Sequence, residues 1–235
     1  MNTRIFPFCL SFLLSLCLPA LLQAQQVTIE YAAGYGIYKM EDMKGLFKSS
    51  ISSIPIRNIR VTDLFPGYIT HHVKAGVTWK ALHHAGLSVD YMNTAAHAAV
   101  SDYSASYAST LRMKGVRLGA FYRFALPHTA KNLLSPYLQL STGAVFNNGK
   151  ATESLTFTDS KEDSSSSSES LEGVNFFVEP AFGIKIRVLP ILSLHLNAGY
   201  EFDLTQQFRY QGQSAIIGPD WSGLRVQAGV MVCLF

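Results

Sequence analysis

From Val27 to Ile37 the chain alternates between two kinds of residue: Val27, Ile29, Tyr31, Ala33, Tyr35 and Ile37 on one face, Thr28, Glu30, Ala32, Gly34 and Gly36 on the other. No other feature constrains the fold as tightly, because a period of two is the mark of a β-strand and this run is long. A strand tilted by about 45° needs roughly ten residues to cross the hydrocarbon core of a membrane, about twice the length of an ordinary globular strand.

The pattern recurs along the chain. A second segment sets Ile69, His71, Val73, Ala75, Val77 and Trp79 against Thr70, His72, Lys74, Gly76 and Thr78. A third sets Leu87, Val89 and Tyr91 against Ser88, Asp90 and Met92, and a fourth sets Val116, Leu118, Ala120, Tyr122 and Phe124 against Arg117, Gly119 and Arg123. The fifth is less regular, with Leu138, Leu140, Ala144 and Phe146 opposite Gln139, Ser141 and Gly143. A sixth alternates Phe176, Val178, Phe182, Ile184, Ile186 and Val188 with Glu179, Gly183, Lys185 and Arg187. The seventh alternates Leu194, Leu196, Ala198, Tyr200, Phe202 and Leu204 with His195, Asn197, Glu201 and Asp203, and the eighth Leu224, Val226, Ala228, Val230, Val232 and Leu234 with Arg225, Gln227 and Gly229.

Two kinds of closed barrel alternate in this way. A soluble lipocalin-like barrel lines its cavity with the apolar set and shows the polar set to water. A membrane barrel does the reverse. Here the non-apolar set makes a poor coat against water, being sparse in charge and rich in glycine: Gly34, Gly76, Gly119, Gly183, Gly199 and Gly229. It suits a crowded lumen, where Glu30, Asp90, Glu179, Glu201 and Asp203 can meet Lys74, Arg117, Arg123, Lys185, Arg187 and Arg225. Charged residues make up 15% of the chain, well below the roughly 25% of a soluble domain. The expected fold class is all-β: a closed antiparallel transmembrane β-barrel of about eight strands in a Gram-negative outer membrane, both ends of the ring on one side.

Connector lengths set the orientation. Long polar stretches follow the first, third, fifth and seventh strands, whereas the links near Lys80 to His84 and Val188 to Leu192 are short, so the long ones face outside. The link from Ala125 to Leu134 exceeds a minimal turn, and Pro127 makes it irregular. Ser164 to Ser168, with acids on both sides, reads as a disordered loop tip.

Residues 1–24 read as a cleaved signal peptide and residues 25–235 as the barrel domain. Arg4 is the positive n-region, Ile5 to Leu22 is apolar, and Leu22-Gln23-Ala24 carries the cleavage site. Pro7, Pro19, Gln23, Gln25 and Gln26 argue against an uncleaved spanning helix, and Leu16 before Cys17 argues against a lipoprotein. Cys9 and Cys17 leave with the signal, so Cys233 has no internal disulfide partner and no metal site rests on cysteine. The net charge of +3 is scattered, which excludes a nucleic-acid partner. The final Phe235 resembles the signal read by the barrel-insertion machinery, an expected partner together with outer-membrane lipid and lipopolysaccharide. Phe235 shares the parity of Gln227 and Arg225, so a bulge near Cys233 is expected to restore the phase.

The segments GYGIYKMEDMKGLF, VTDLFPGYI (Val61 to Ile69) and YMNTAAHAAVSDYS (Tyr91 to Ser104), with the Phe-Tyr-Arg-Phe strand end at Phe121 to Phe124, resemble the small outer-membrane β-barrel proteins of Bacteroidota. The resemblance spans nearly the whole mature chain and implies a fold and a location rather than an activity. Where that family carries a Gly-rich Ser-Thr-Gly segment, this chain has Asn93-Thr94-Ala95-Ala96.

A ring of about eight strands has an interior just wide enough for side chains, so the lumen is expected to be plugged, a narrow channel being the alternative. No residue is put forward as catalytic, cofactor-binding or metal-ligating, no cofactor is expected, and the chain reads as no enzyme. The nearest approach to a lipid-modifying site is Ser193 with His195, which share a face but stand about 7 Å apart. His71 and His72 flank opposite faces of the second strand, His71 at the level of lipid headgroups. Lys39 to Arg60, Ala96 to Ala108, Asn147 to Gly173 and Thr205 to Asp220 read as exposed loops, where an extracellular ligand would bind. Within them, Asp102-Tyr103-Ser104 and Asp63-Leu64-Phe65-Pro66-Gly67 are candidate binding motifs, turn chemistry being the competing explanation.

Overall fold

The computed structural model describes residues 26–54, 59–103, 105–126, 133–157, 165–205, 208–210, 213–215 and 218–234. The signal segment, Pro127 and Phe235 lie outside them. In chain order the elements are β1 (Gln26–Gly36), helix α1 (Glu41–Ser53), β2 (Arg60–Leu64), β3 (Tyr68–Trp79), β4 (His83–Ser101), β5 (Ala105–Ala125), β6 (Leu134–Phe157), β7 (Ser165–Arg187), β8 (Leu192–Asp203), β9 (Phe208–Tyr210), β10 (Gln213–Ala215) and β11 (Gly223–Cys233).

Eight of these close a ring in the order β1, β3, β4, β5, β6, β7, β8, β11 and back to β1, all antiparallel. The closing pair runs in unbroken register from Thr28 opposite Cys233 to Gly36 opposite Arg225. The bulge expected near Cys233 is therefore absent up to that residue, and Leu234 keeps the outward parity. Outside the ring, β2 pairs with upper β4 and the β9–β10 hairpin with β7.

Polarity is inverted relative to a soluble protein. Leu87 is 70% exposed, Phe176 55% and Leu196 54%, whereas Arg117, Arg225 and Glu30 are each 1% exposed. The outward residues Ile29, Val73, Val89, Leu118, Leu140, Ile184 and Val226 form a continuous apolar wall, which water cannot stabilise and acyl chains can. Near the short-turn end the wall becomes aromatic. The Trp79 and His83 rings stack at 5.5 Å, and His83 Nδ1 lies 2.7 Å from the Tyr122 hydroxyl, as in the interfacial girdle of a membrane barrel.

Two expected loops are strand. β4–β5 and β6–β7 run on in register as tall hairpins, so 96–101, 105–108, 147–157 and 165–173 are paired rather than irregular. Of the tip Ser164 to Ser168, expected to be disordered, Ser164 lies outside the described residues and Ser165–Ser168 lie opposite Leu155 to Thr152, because a neighbouring strand satisfies their backbone even where the side chains bury nothing. The alternation continues in these hairpins with its sign reversed. On β5 the inward residues change from Arg123 and Arg117 to Met113, Leu111 and Tyr107, while the outward ones change from Leu118 and Val116 to Lys114 and Arg112.

One register row marks the change. His71, Tyr91, Val116, Phe146 and Val174 stand side by side on five neighbouring strands, and the next outward row is Asn93, Lys114, Asn148 and Glu172. On β3 the outward face stays apolar one step beyond His71, at Ile69 opposite Tyr35, so His71 lies within that face, with its Nδ1 3.0 Å from the Tyr31 hydroxyl.

Replacing Leu196, outward near the middle of β8, with arginine should cost about 2–4 kcal/mol, while Thr156→Arg, outward near the tip of β6, should change stability by less than about 0.5 kcal/mol. Urea midpoints of the refolded barrel in lipid vesicles measure both, and equal effects would remove the lipid belt.

Candidate functional site: a charged lumen under an apolar cap

The inward faces of the ring converge on two ionic clusters. In the upper one Arg117 of β5 is the hub. Its Nε lies 2.5 Å from Asp90 Oδ2 of β4 and its Nη1 2.5 Å from Glu179 Oε2 of β7, and Nη1 also contacts Glu201 of β8. Arg225 Nε of β11 shares Glu201 at 2.8 Å. His72 Nδ1 reaches Asp90 Oδ1 at 2.9 Å, and its other ring nitrogen lies 2.7 Å from Thr70 Oγ1. The Phe177 ring covers the Arg117 guanidinium at 4.4 Å.

The lower cluster is built on Glu30 of β1. Arg123 of β5 donates two parallel hydrogen bonds to it, Nη1 to Oε1 at 2.9 Å and Nη2 to Oε2 at 3.1 Å, the fork geometry that favours arginine. Gln139 Oε1 accepts from Arg123 Nη2 at 2.9 Å. His84 and His195 stand 3.7 and 4.0 Å from the same carboxylate. Tyr137 lies flat beneath Arg123, 4.3 Å from its guanidinium carbon, directly opposite Gly183. A Cβ at Gly183 would stand 2.6 Å from Tyr137 Cε2, so only glycine lets the ring lie down and support the arginine.

Between the clusters sits Lys74, whose Nζ lies 3.5 Å from Gln227 Oε1. The buried carboxylates Glu30, Asp90, Glu179 and Glu201 are matched by the buried cations Lys74, Arg117, Arg123 and Arg225, so these residues leave the lumen electrically neutral. Three expected lumenal charges stand apart. Asp203 meets no base among the described residues; its Oδ2 accepts from the Trp221 backbone N–H at 2.7 Å and Asn175 Nδ2 at 3.1 Å. Lys185 lines a cavity of about 30 Å³ at the lower mouth with Thr78, His84, Arg123 and Tyr137. Arg187, also at that end, is exposed. The cavity has room for one or two waters.

Above the ions the lumen is closed by a hydrophobic core to which the stretch from Lys39 to Arg60, expected as an exposed loop, contributes helix α1. Met40 adopts a left-handed conformation (φ 47°) that turns the chain from β1 into α1, where Glu41 and Asp42 favour the positive end of the helix. Met43, Phe47 and Ile51, four residues apart, form its buried stripe. They pack with Phe65, Met92, Leu111, Met113, Val145 and Trp221 in one buried cluster. Trp221 locks the roof to the wall by donating from Nε1 to Asn147 Oδ1 at 2.6 Å, and the Tyr38 ring meets it edge-on at 4.9 Å.

Each of the two loop motifs contains a turn or packing contact, with Ser104 outside the described residues. Asp102 Oδ1 accepts from the Ala105 N–H at 2.9 Å and closes the β4–β5 hairpin. Phe65 is buried in the cap, and Thr94 Oγ1 donates to the Pro66 carbonyl at 2.8 Å. Ser193 and His195 are both buried on the inward face of β8. Among the described residues no group of three or more His, Cys, Asp or Glu has the arrangement of a metal site.

No family model matches the chain, and no curated protein matches it. Among solved structures it is similar to Neisserial surface protein A, with 12% identity over 88% of this chain and 96% of that one and a TM-score of 0.44. It is also similar to the outer membrane protein OprG of Pseudomonas aeruginosa, with 11% identity over 90% and 97% and a TM-score of 0.44. A third similar structure is Ail, the attachment invasion locus protein of Yersinia pestis, in complex with the heparin analogue sucrose octasulfate, with 11% identity over 89% and 97% and a TM-score of 0.35.

Arg117→Leu leaves Asp90, Glu179 and Glu201 buried without their shared cation and should destabilise the barrel by about 3–5 kcal/mol. Adding Glu179→Gln and Glu201→Gln should recover part of that loss. The urea concentration at which the compact band disappears from an unheated gel reports both; a single variant as stable as the parent would remove Arg117 as hub.

Proposed function

We propose that this chain is a closed, non-conducting barrel of the bacterial outer membrane, whose working surface is the pair of tall hairpins β4–β5 and β6–β7. The observation that carries this reading is the filling of the lumen: a neutral set of matched charges occupies the membrane level, and an apolar roof anchored by Phe47 and Trp221 covers it. An ion entering from outside would have to displace that roof and then compete with pairs already matched in a low-dielectric interior. Tyr103, 93% exposed on the turn of β4–β5, gives the hairpins an aromatic contact point for an extracellular ligand.

The role proposed is structural or surface-interacting rather than catalytic. Burial of Ser193 and His195 on one inward face keeps that pair from a lipid substrate. Kinship with the small Bacteroidota barrels belongs to the same proposal, and rests on the segments GYGIYKMEDMKGLF and VTDLFPGYI, which here form the entry to the cap and the stretch leading into β3. Delivery by the barrel-insertion machinery is its natural companion.

In planar bilayers the purified barrel should give no discrete conductance steps; steps that scale with salt concentration would turn the reading toward a narrow channel. Incubated with lipid A, it should leave every acyl chain in place by mass spectrometry. Loss of a chain would overturn the non-catalytic role, placing the chemistry at Ser193 if a Ser193→Ala variant abolishes it and elsewhere if it persists.

A further inference from the structure

Just above the lipid belt, the outward face of the β5–β6 wall carries Arg112, Lys114 and Lys150, all exposed. Lys114 stands opposite Asn148 in the first row beyond Val116 and Phe146, and Arg112 stands opposite Lys150 in the second. Two like charges directly opposite each other on one face of an antiparallel pair repel, and a sheet does not favour that arrangement for its own stability. No described carboxylate relieves it: none of the three forms an ion pair, and Glu172, placed diagonally from Lys150, forms none with it either.

Depth identifies the partner. Successive outward residues are about 7 Å apart along a strand, or roughly 5 Å along the membrane normal at a tilt of about 45°. The cations therefore begin about one step beyond Val116 and Phe146, within the polar layer that flanks the hydrocarbon core. A soluble anion has no reason to prefer that height, but the phosphate of a lipid whose acyl chains lie against Val116, Leu118 and Phe146 is held there by its own tails.

We propose that Arg112, Lys114 and Lys150 form a docking site for the phosphorylated headgroup of an outer-leaflet glycolipid. The site rests on the reading of this chain as a membrane barrel and names the lipid that such a barrel holds. Arginine supplies the planar fork suited to a phosphate, and the two lysines supply charge.

Native mass spectrometry of the full mature chain, refolded in detergent and mixed with bis-phosphorylated lipid A, tests it. The parent should retain the lipid at least tenfold more strongly than an Arg112→Gln/Lys114→Gln/Lys150→Gln variant, and lipid A stripped of phosphate should be retained at the variant's level. Inorganic phosphate at millimolar concentration should not displace the lipid. Equal retention by parent and variant, equal retention of the dephosphorylated lipid, or displacement by inorganic phosphate would each overturn the site. Both chains are checked for the heat-dependent gel shift of a folded barrel; Arg112→Gln/Lys150→Gln, which removes the two facing charges and should lose the lipid in the same direction, replaces the triple variant if that one fails the check. A mature chain soluble and monomeric without detergent would sink the membrane reading itself, whereas a detergent-dependent barrel that retains no lipid sinks the docking site alone.

Discussion

Hydrocarbon offers a peptide group no hydrogen-bonding partner, and the rest of this fold follows from that. Every N–H and C=O at membrane level must be paired within the protein, so the sheet has to close, and β11 returns to β1 in unbroken register. Closure places alternate side chains inside. With lipid outside, the polar half of each strand has nowhere else to go, and the ion clusters around Arg117 and Glu30 are the result. Burying so many charges is unfavourable for each of them taken alone. Electroneutrality and multiple hydrogen bonds make the set tolerable as a whole.

The same chain solves the opposite problem above the membrane. There the outside of the wall meets water, so the hairpins turn Lys114 and Arg112 outward and Met113 and Leu111 inward, and α1 supplies the surface against which those apolar side chains pack. The lumen is thus sealed by two unlike means at two heights: matched charges below, and hydrophobic burial above. The two meet at the foot of the roof, where the Phe177 ring lies over Arg117 and Arg225 Nη2 donates to the Trp221 carbonyl at 3.3 Å.

Much of this was legible in the residues. Alternation located β1 within one residue at each end, Val27 to Ile37 against Gln26–Gly36, and composition of the non-apolar face was enough to decide its direction. The hairpin extensions are illegible to an alternation of fixed sign: beyond Tyr91 and Val116 the apolar residues move to the other face, which looks like the end of a strand when only one face is counted. Helix α1 is illegible for a different reason. Its stripe of Met43, Phe47 and Ile51 is set among Lys, Ser and Gly residues and has no sequence neighbour to pack on; the partners that make it a helix, such as Met113 and Trp221, are far along the chain. Charge pairing was legible as a set but not in detail, since Asp90 meets Arg117 only through the β4–β5 register, while Asp203 is captured by the Trp221 backbone.

The reversal of polarity along β5 has a mechanical meaning. Were the barrel to sink by one outward step, about 5 Å, Lys114 would enter hydrocarbon; were it to rise by the same step, Val116 would meet water. Each displacement is opposed by a different force, so the cylinder floats at a set waterline. A bilayer of another thickness must deform to meet that line rather than let the protein ride up or down within it.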